Sequence, residues 1–187
     1  RFDFSVANGP TFSPTTVIRG IGPAVKRVDP GVFTNLVFHL GLVEAMSYWK
    51  AACPPIIEVR AGALGHEALR WWEEFFLSGM GEFFYHNKID FTPKDFLSIR
   101  PASSIHTLPH RLEAGSITGQ TLVTVSGGKD SVVMLEAFRK INTPCQAVVV
   151  NPLPAVWRVL RLAGIPHPVV VERAIDGSRV GAGLAPA

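Results

Sequence analysis

The residues best suited to chemistry lie at 121–131, which read Thr-Leu-Val-Thr-Val-Ser-Gly-Gly-Lys-Asp-Ser. Leu122, Val123 and Val125 predict a strand that stops at Ser126-Gly127-Gly128. Helical spacing opens at Asp130 and puts Val133, Met134, Ala137, Phe138 and Ile141 on the expected apolar side. Paired glycines let the backbone turn tightly and leave its N–H groups open. The first turn of the helix adds unpaired N–H groups and the positive end of its dipole. Together these donors form an anion site, to which Lys129 adds a full charge and Ser126 and Ser131 add hydroxyls. A nucleotide phosphate is the ligand that fits. The common P-loop is excluded, because the glycine it needs five residues before its Gly-Lys pair is Val123 here.

A second group of polar residues follows a predicted helix at 65–78. The tract Gly79-Met80-Gly81-Glu82-Phe83-Phe84-Tyr85-His86-Asn87-Lys88-Ile89-Asp90 sets Glu82, His86, Asn87, Lys88 and Asp90 among aromatic rings. A carboxylate or imidazole beside apolar rings can serve in proton transfer. An aromatic core with polar edges explains the same spacing, so the residues alone leave both readings open.

These groups need a scaffold, and 187 residues that are 47% hydrophobic supply one or two modest domains with a real core. A net charge of +3, with its basic residues scattered, gives no footprint for nucleic acid. Cys53 and Cys145 form no CxxC and join no histidine cluster, which argues against a zinc site and a disulfide scaffold and fits a reducing, cytoplasmic location. No apolar run reaches the length of a membrane span.

Short strands are predicted near Phe2/Phe4 and Thr15–Ile18, and a long helix runs from Gly31 through Phe33, Leu36, Val37, Leu40, Val43, Glu44 and Tyr48 to Pro54-Pro55. Ile56–Arg60 reads as a strand. Residues 92–119 form a polar, proline-punctuated connection. Strands at 121–125, 146–150 and 168–172 then alternate with helices at 130–141 and 153–163, which implies a parallel sheet. The expected organisation is α/β: a smaller α+β domain at 1–100, a linker at 101–118, an incomplete parallel-sheet domain at 119–176 and a tail at 177–187 without a fold of its own. The chain is expected to be part of a longer protein and, alone, to be catalytically weak and inclined to associate. Its last strand would present an unpaired edge.

The run Ser126–Ser131 resembles the signature loop of the ATP-pyrophosphatase (PP-loop) superfamily, whose α/β domain is of the adenine nucleotide alpha hydrolase type with about five strands. Together with the Ser47–Pro54 and Gly81–Asp90 tracts and Val150-Asn151-Pro152, it is similar to the MurL-type epimerases of peptidoglycan precursor synthesis, from the first helix to about Asp176. The resemblance implies ATP and Mg²⁺ as cofactors. It implies UDP-MurNAc-L-Ala-L-Glu as substrate, conversion of its terminal L-Glu to D-Glu, and release of AMP and pyrophosphate. It assigns Ser126, Gly127, Gly128, Lys129, Asp130 and Ser131 to ATP phosphates, Asp130 to the metal as well, and Glu82, Asn87 and Lys88 to catalysis. For Asp130 a plain helix-capping role is the competing expectation. The oligomeric state stays open. Another PP-loop ligase or tRNA-modifying enzyme, or a non-catalytic nucleotide-binding module, are the alternatives.

Overall fold

The computed structural model describes residues 1–102 and 121–176. The elements are β1 (Phe4–Ser5), β2 (Thr11–Phe12), β3 (Thr15–Ile18), α1 (Gly22–Val25), α2 (Pro30–Trp49), β4 (Ile56–Val59), α3 (His66–Gly79), α4 (Gly81–Asn87), β5 (Ser98–Pro101), β6 (Thr121–Thr124), α5 (Lys129–Lys140), β7 (Cys145–Val150), α6 (Pro154–Leu162) and β8 (Val169–Ala174). They fall into two compact units. The described part of one, the helical unit, is 2–12 and 29–102; that of the other, the sheet unit, is Arg1, 13–28 and 121–176. The expected tail at 177–187 and all but the first two residues of the expected linker lie outside the described residues.

In the helical unit, α2 starts where the Asp29 carboxylate accepts the Val32 N–H at 3.0 Å and Pro30 presets the first helical φ. It buries Val32, Leu42, Glu44, Ala45, Tyr48 and Trp49 and leaves Leu36, Val37 and Val43 exposed. The apolar pattern does not single out the buried face, because this helix is apolar on most of its sides. The core gathers around Trp49, whose ring meets Phe76, Phe84 and Phe96 edge-on at centroid distances of 5.9, 6.1 and 6.1 Å. Its indole N–H donates to the Pro54 carbonyl at 2.9 Å, so no donor is lost in the core. On α3 the apolar spacing predicts Leu69, Trp72, Phe76 and Leu77 inward; Trp72 and Phe76 are buried, and Leu69 and Leu77 pack half-buried against the same core. β4 and β5 pair in parallel, Ile57 opposite Ile99. Ser98 and Ala102 donate to β4 and its flank, so the Ile99 N–H points the other way, and the Glu73 carboxylate of α3 accepts it at 2.8 Å.

The sheet unit has one four-stranded sheet in the order β3-β8-β7-β6. β6, β7 and β8 are parallel, joined through α5 and α6. The fourth strand corrects the expectation of an unpaired edge at the last strand: β3 runs antiparallel along β8, with Thr15 opposite Ala174 and Ile18 opposite Val171. The pairing is fastened at both ends. The Arg19 guanidinium donates to both oxygens of Glu172 at 2.6 Å, and the Ser13 N–H donates to Asp176 Oδ2 at 2.8 Å. The 1–100 stretch therefore contributes β3 to the sheet formed by 121–176. Strand pairing decides this over sequence distance, since β8 has a row of N–H and C=O groups to satisfy.

One face of the sheet is covered. Val123, Val125, Ala147 and Val149 pack with Leu135 of α5 and with Val156 and Leu160 of α6. The predicted face of α5 is wrong in part. Ser131 and Leu135 are buried and Phe138 is half-buried, whereas Val133, Met134 and Ile141 are exposed. The helix carries apolar residues on two sides, and only one meets this sheet. Among the described residues, no helix is long and apolar enough to cross a membrane.

The helical unit contains a pH-sensitive contact. The Trp72 indole N–H donates to His39 Nδ1 at 3.2 Å, and the two rings stack with centroids 5.7 Å apart. That acceptor exists only on the neutral imidazole, and burial holds the His39 pKa below its ordinary value. A folded-state pKa below the unfolded one means that the unfolded chain binds the extra proton. The stabilisation is therefore full above the unfolded pKa of about 6.5 and declines as pH falls below it. The urea midpoint, followed by tryptophan fluorescence, should fall between pH 7.5 and 5, and His39→Gln should make that fall shallower.

Candidate functional site

The loop between β6 and α5 begins where the Val125 N–H makes a last bond to the Val148 carbonyl, at 2.9 Å. Gly127 then takes φ +85°, a conformation that L side chains rarely adopt. A Cβ there would also stand 3.1 Å from Cγ2 of Val156. Gly128 differs. Its φ of −80° and ψ of 174° suit any residue, and the nearest group to an added Cβ would be the Ser126 hydroxyl at 3.8 Å. The expectation that both glycines are demanded by backbone shape or crowding holds for Gly127 alone. At Gly128 the missing side chain leaves open the approach to the helix end.

Ser131 shapes this loop. Its buried Oγ accepts the Ser126 N–H at 3.0 Å and lies 3.2 Å from the Ser126 hydroxyl. The pair ties the start of the loop to the first turn of α5, and Ser126 remains at the surface. Gly128 is the N-cap, and no side chain caps the helix. The first-turn N–H groups thus keep their donor capacity for an external acceptor. Lys129 and Asp130 are the exposed first and second residues of α5. Asp130 is not the N-cap residue, which removes the capping hydrogen bond as its explanation. Its carboxylate still sits favourably in the first turn of the dipole.

The geometry fits a phosphate, with a cradle at Gly128, uncapped donors and a lysine at the lip. It also fits a hard cation held by one carboxylate together with phosphate oxygens. Among the described residues, no three His, Cys, Asp or Glu side chains form a metal cluster, so Asp130 alone would not hold an ion. A cleft of about 560 Å³ adjoins the loop, bounded by Leu122, Thr124, Ser126, Asp130, Met134 and Val150 among others. Asn151, just past β7, takes φ 44° and brackets Arg173, accepting its N–H at 2.8 Å and donating to its carbonyl at 2.7 Å. Sequence reasoning had no signal for this side-chain pairing.

The other tract belongs to the helical unit. Glu82 and His86 lie one turn apart on α4 with Nε2 to Oε1 at 3.8 Å, both largely in solvent. Asn87 Nδ2 donates to the Phe83 carbonyl at 2.8 Å. Lys88 ends α4 at φ 54°, with its backbone N–H on the Phe84 and Tyr85 carbonyls. Asp90 accepts both the hydroxyl and the N–H of Thr92, at 2.7 and 3.0 Å, and these bonds lower its pKa, the hydroxyl most. Phe84 is buried in the Trp49 cluster. Asn87 and Lys88 thus have visible work in terminating a helix, while Glu82, His86 and the Lys88 ammonium remain presented to solvent.

The two glycines give a test. Gly127→Ala should cost about 1–2 kcal/mol of stability through its left-handed φ, and more if Val156 cannot yield. Gly128→Ala should leave the denaturation midpoint nearly unchanged. Equal midpoints for the two variants would contradict the asymmetry.

The chain matches the MurL N-terminal domain family over residues 1–180. It is 28% identical over 138 residues to a protein named UDP-N-acetyl-alpha-D-muramoyl-L-alanyl-L-glutamate epimerase from Xanthomonas oryzae pv. oryzae, covering 73% of this chain and 29% of that protein. A protein of the same name from Micromonospora sp. is 30% identical over 156 residues, covering 82% of this chain and 34% of its own length. One from Salinispora tropica is 28% identical over 156 residues, covering 82% and 33%. The chain spans about a third of the length of the curated relatives it matches. No solved structure matches it. With a match that takes in nearly its whole length, the chain belongs to the MurL N-terminal domain family.

Proposed function

We propose that this chain carries the ATP-phosphate loop of an epimerase that converts the terminal L-Glu of UDP-MurNAc-L-Ala-L-Glu to D-Glu in peptidoglycan precursor synthesis. Three relatives bear that activity in their names. The observation that carries the nucleotide part is the left-handed turn at Gly127, which delivers an uncapped helix end with Lys129 beside it. A cytoplasmic location accords with a nucleotide-linked substrate.

The reaction has a specific difficulty. An α proton beside an ionised carboxylate resists removal, because the resulting carbanion would adjoin an existing negative charge. ATP supplies the adenylyl group that masks this carboxylate. In this reading, the chain's own residues do the holding. The first-turn N–H groups of α5 and the Lys129 ammonium bind phosphate oxygens. Asp130 would offer an oxygen ligand to Mg²⁺, a hard cation that prefers such donors. Ser131 keeps the loop in shape from beneath. In the helical unit, His86, one turn from Glu82, can move a proton, and Lys88 can meet a substrate carboxylate or phosphate.

Lys129→Ala should weaken ATP binding by about 1.5–3 kcal/mol, roughly ten- to a hundredfold, as read by titration calorimetry. Gly128→Val should abolish binding while the circular dichroism spectrum is unchanged. Unaltered affinity in both variants would remove the phosphate reading. Substrate turnover is tested separately, by chiral analysis of glutamate released after incubation with ATP, Mg²⁺ and the muropeptide. D-Glu should form when the chain is continued by the region that follows the match in its relatives, and Ala at Glu82, Asn87 or Lys88 should reduce it. Full activity in all three variants would return that tract to a structural role.

A further inference from the structure

We propose that Lys50 is a substrate-binding residue, whose ammonium, held over the Phe83 ring one turn from Asn87, receives the side-chain carboxylate of the terminal glutamate. This assignment rests on the epimerase reading and deepens it.

The tract Ser47–Pro54 closes α2, and most of its side chains are taken up by folding. Tyr48 is buried against Phe4 and Phe12, with ring centroids 5.3 and 4.8 Å away. Trp49 belongs to the core, and its indole N–H is given to the Pro54 carbonyl. The Ala52 and Cys53 N–H groups return to the Trp49 carbonyl at 3.2 and 2.8 Å, and Cys53 takes the left-handed φ of 44° that turns the chain. Lys50 lies between these fixed points and is exposed. Its backbone is anchored beside the core, while its charge takes no part in it.

The ammonium nevertheless has a set position. Nζ stands over the Phe83 ring of α4, 5.6 Å from the centroid, within the range of a cation–π contact. Phe83 itself packs half-buried against the core, so the ring is a fixed platform. A ring face attracts the charge but offers no oxygen to the N–H donors. Among the described residues, no carboxylate pairs with Lys50. Glu82 is next to Phe83 in sequence, but it projects about 100° round the helix from it and lies 3.8 Å from His86 instead. Asn87 shares the Phe83 side of α4 and gives its amide N–H to the Phe83 carbonyl, which leaves its amide oxygen as an acceptor there. An exposed, positioned cation beside an amide acceptor matches a carboxylate that comes with a peptide N–H, which is what the end of a glutamyl peptide presents. The reaction also needs such a contact. One carboxylate of the terminal glutamate must be masked for the α proton to leave, whereas the other stays ionised throughout and is the lasting handle. A cation at the carboxyl end of α2 also complements the helix dipole, and that role would not distinguish one substrate from another.

The test is steady-state kinetics on the chain continued by the region that follows the match in its relatives, with muropeptide and ATP varied separately. Lys50→Met keeps the stem and removes the charge. It should raise KM for the muropeptide about ten- to a hundredfold, the span of a lost charge-assisted hydrogen bond, and leave KM for ATP and the melting temperature nearly unchanged. Lys50→Arg should restore most of the affinity. Phe83→Leu removes the platform but not the charge, and should raise the same KM by a smaller factor. Titration calorimetry without ATP supplies the second arm, using UDP-MurNAc-L-Ala-L-Glu and its L-Gln counterpart. The unsubstituted protein should prefer the Glu form, and Lys50→Met should bind both alike. An unchanged muropeptide KM in Lys50→Met would overturn the assignment and leave Lys50 to the helix end. So would an equal loss of affinity for UDP alone, which would give the ammonium to the diphosphate. Absence of D-Glu from the unsubstituted protein would remove the epimerase reading, while the calorimetric comparison would still decide the carboxylate contact.

Discussion

Every strand in this protein raises one demand, that the backbone groups on its outward side find partners. Among the described residues it is answered in one way at β5, in another at β8, and left open at β6. At β5 the outward Ile99 N–H is taken by the carboxylate of Glu73, a single side chain from the helix lying alongside. At β8 the outward row is taken by a whole strand, β3, drawn from a stretch about 150 residues earlier in the chain. That solution interleaves the two units in sequence, and the Ser13–Asp176 and Arg19–Glu172 contacts mark its two ends. Arg19 and Glu172 are exposed, so their pair adds direction more than stability. At β6 the outward row has no partner among the described residues. A short, threonine-containing strand such as β3 is tolerable as an edge; a parallel strand flanked by exposed Leu122 and Met134 is less so.

The loop depends on the same strand. Its geometry is set by a division of labour among neighbouring residues rather than by any one of them. Gly127 turns the chain at a left-handed φ, where a Cβ would crowd Val156, and Ser131 holds the turn by accepting the Ser126 N–H. Gly128 and the first helical residues are thereby left without internal obligations. The anchoring side chain Val156 belongs to α6, two elements further along, and it is buried in the core that Val123 and Val125 share. The shape of this turn is thus a property of the packed sheet unit and not of the six-residue motif alone.

Much of this was legible in the sequence because it is written locally. The strand–glycine–helix order at 121–141, the long helix that the spacing starts at Gly31 and the inward Trp72 and Phe76 all follow from short-range spacing. What the sequence concealed was non-local. β3 is four residues whose pairing depends on β8, and nothing in Thr15–Ile18 names that partner. β5 was hidden because Ser-Ile-Arg-Pro has neither alternation nor length. The buried faces of α2 and α5 are hard to read for a shared reason: both helices are apolar on more than one side, so periodicity admits several answers and only the packing selects one. In α5 the unselected side, Val133 and Met134, is exposed among the described residues.

The polar tract of the helical unit can be sorted by the same logic of obligations. Asn87 gives its amide to Phe83, and the Asp90 carboxylate is engaged by Thr92. Lys88 holds a left-handed backbone, which for a residue with a Cβ costs about 1–2 kcal/mol and which glycine or asparagine would adopt more readily. That strain is met locally, since the turn lets the Lys88 and Ile89 N–H groups close the end of α4 on Phe84 and Tyr85. The backbone requirement explains a turn at 88 but does not explain lysine there. Helix closure is equally served by glycine, so the ammonium is the part of Lys88 that the fold leaves unexplained. Glu82 and His86 stand exposed on the preceding turn, 3.8 Å apart, and the His86 ring also meets Tyr85 edge-on at a centroid distance of 5.6 Å. Side chains whose backbone or neighbours do structural work, and whose own charges do none, are where chemistry rather than folding has to account for the residue type.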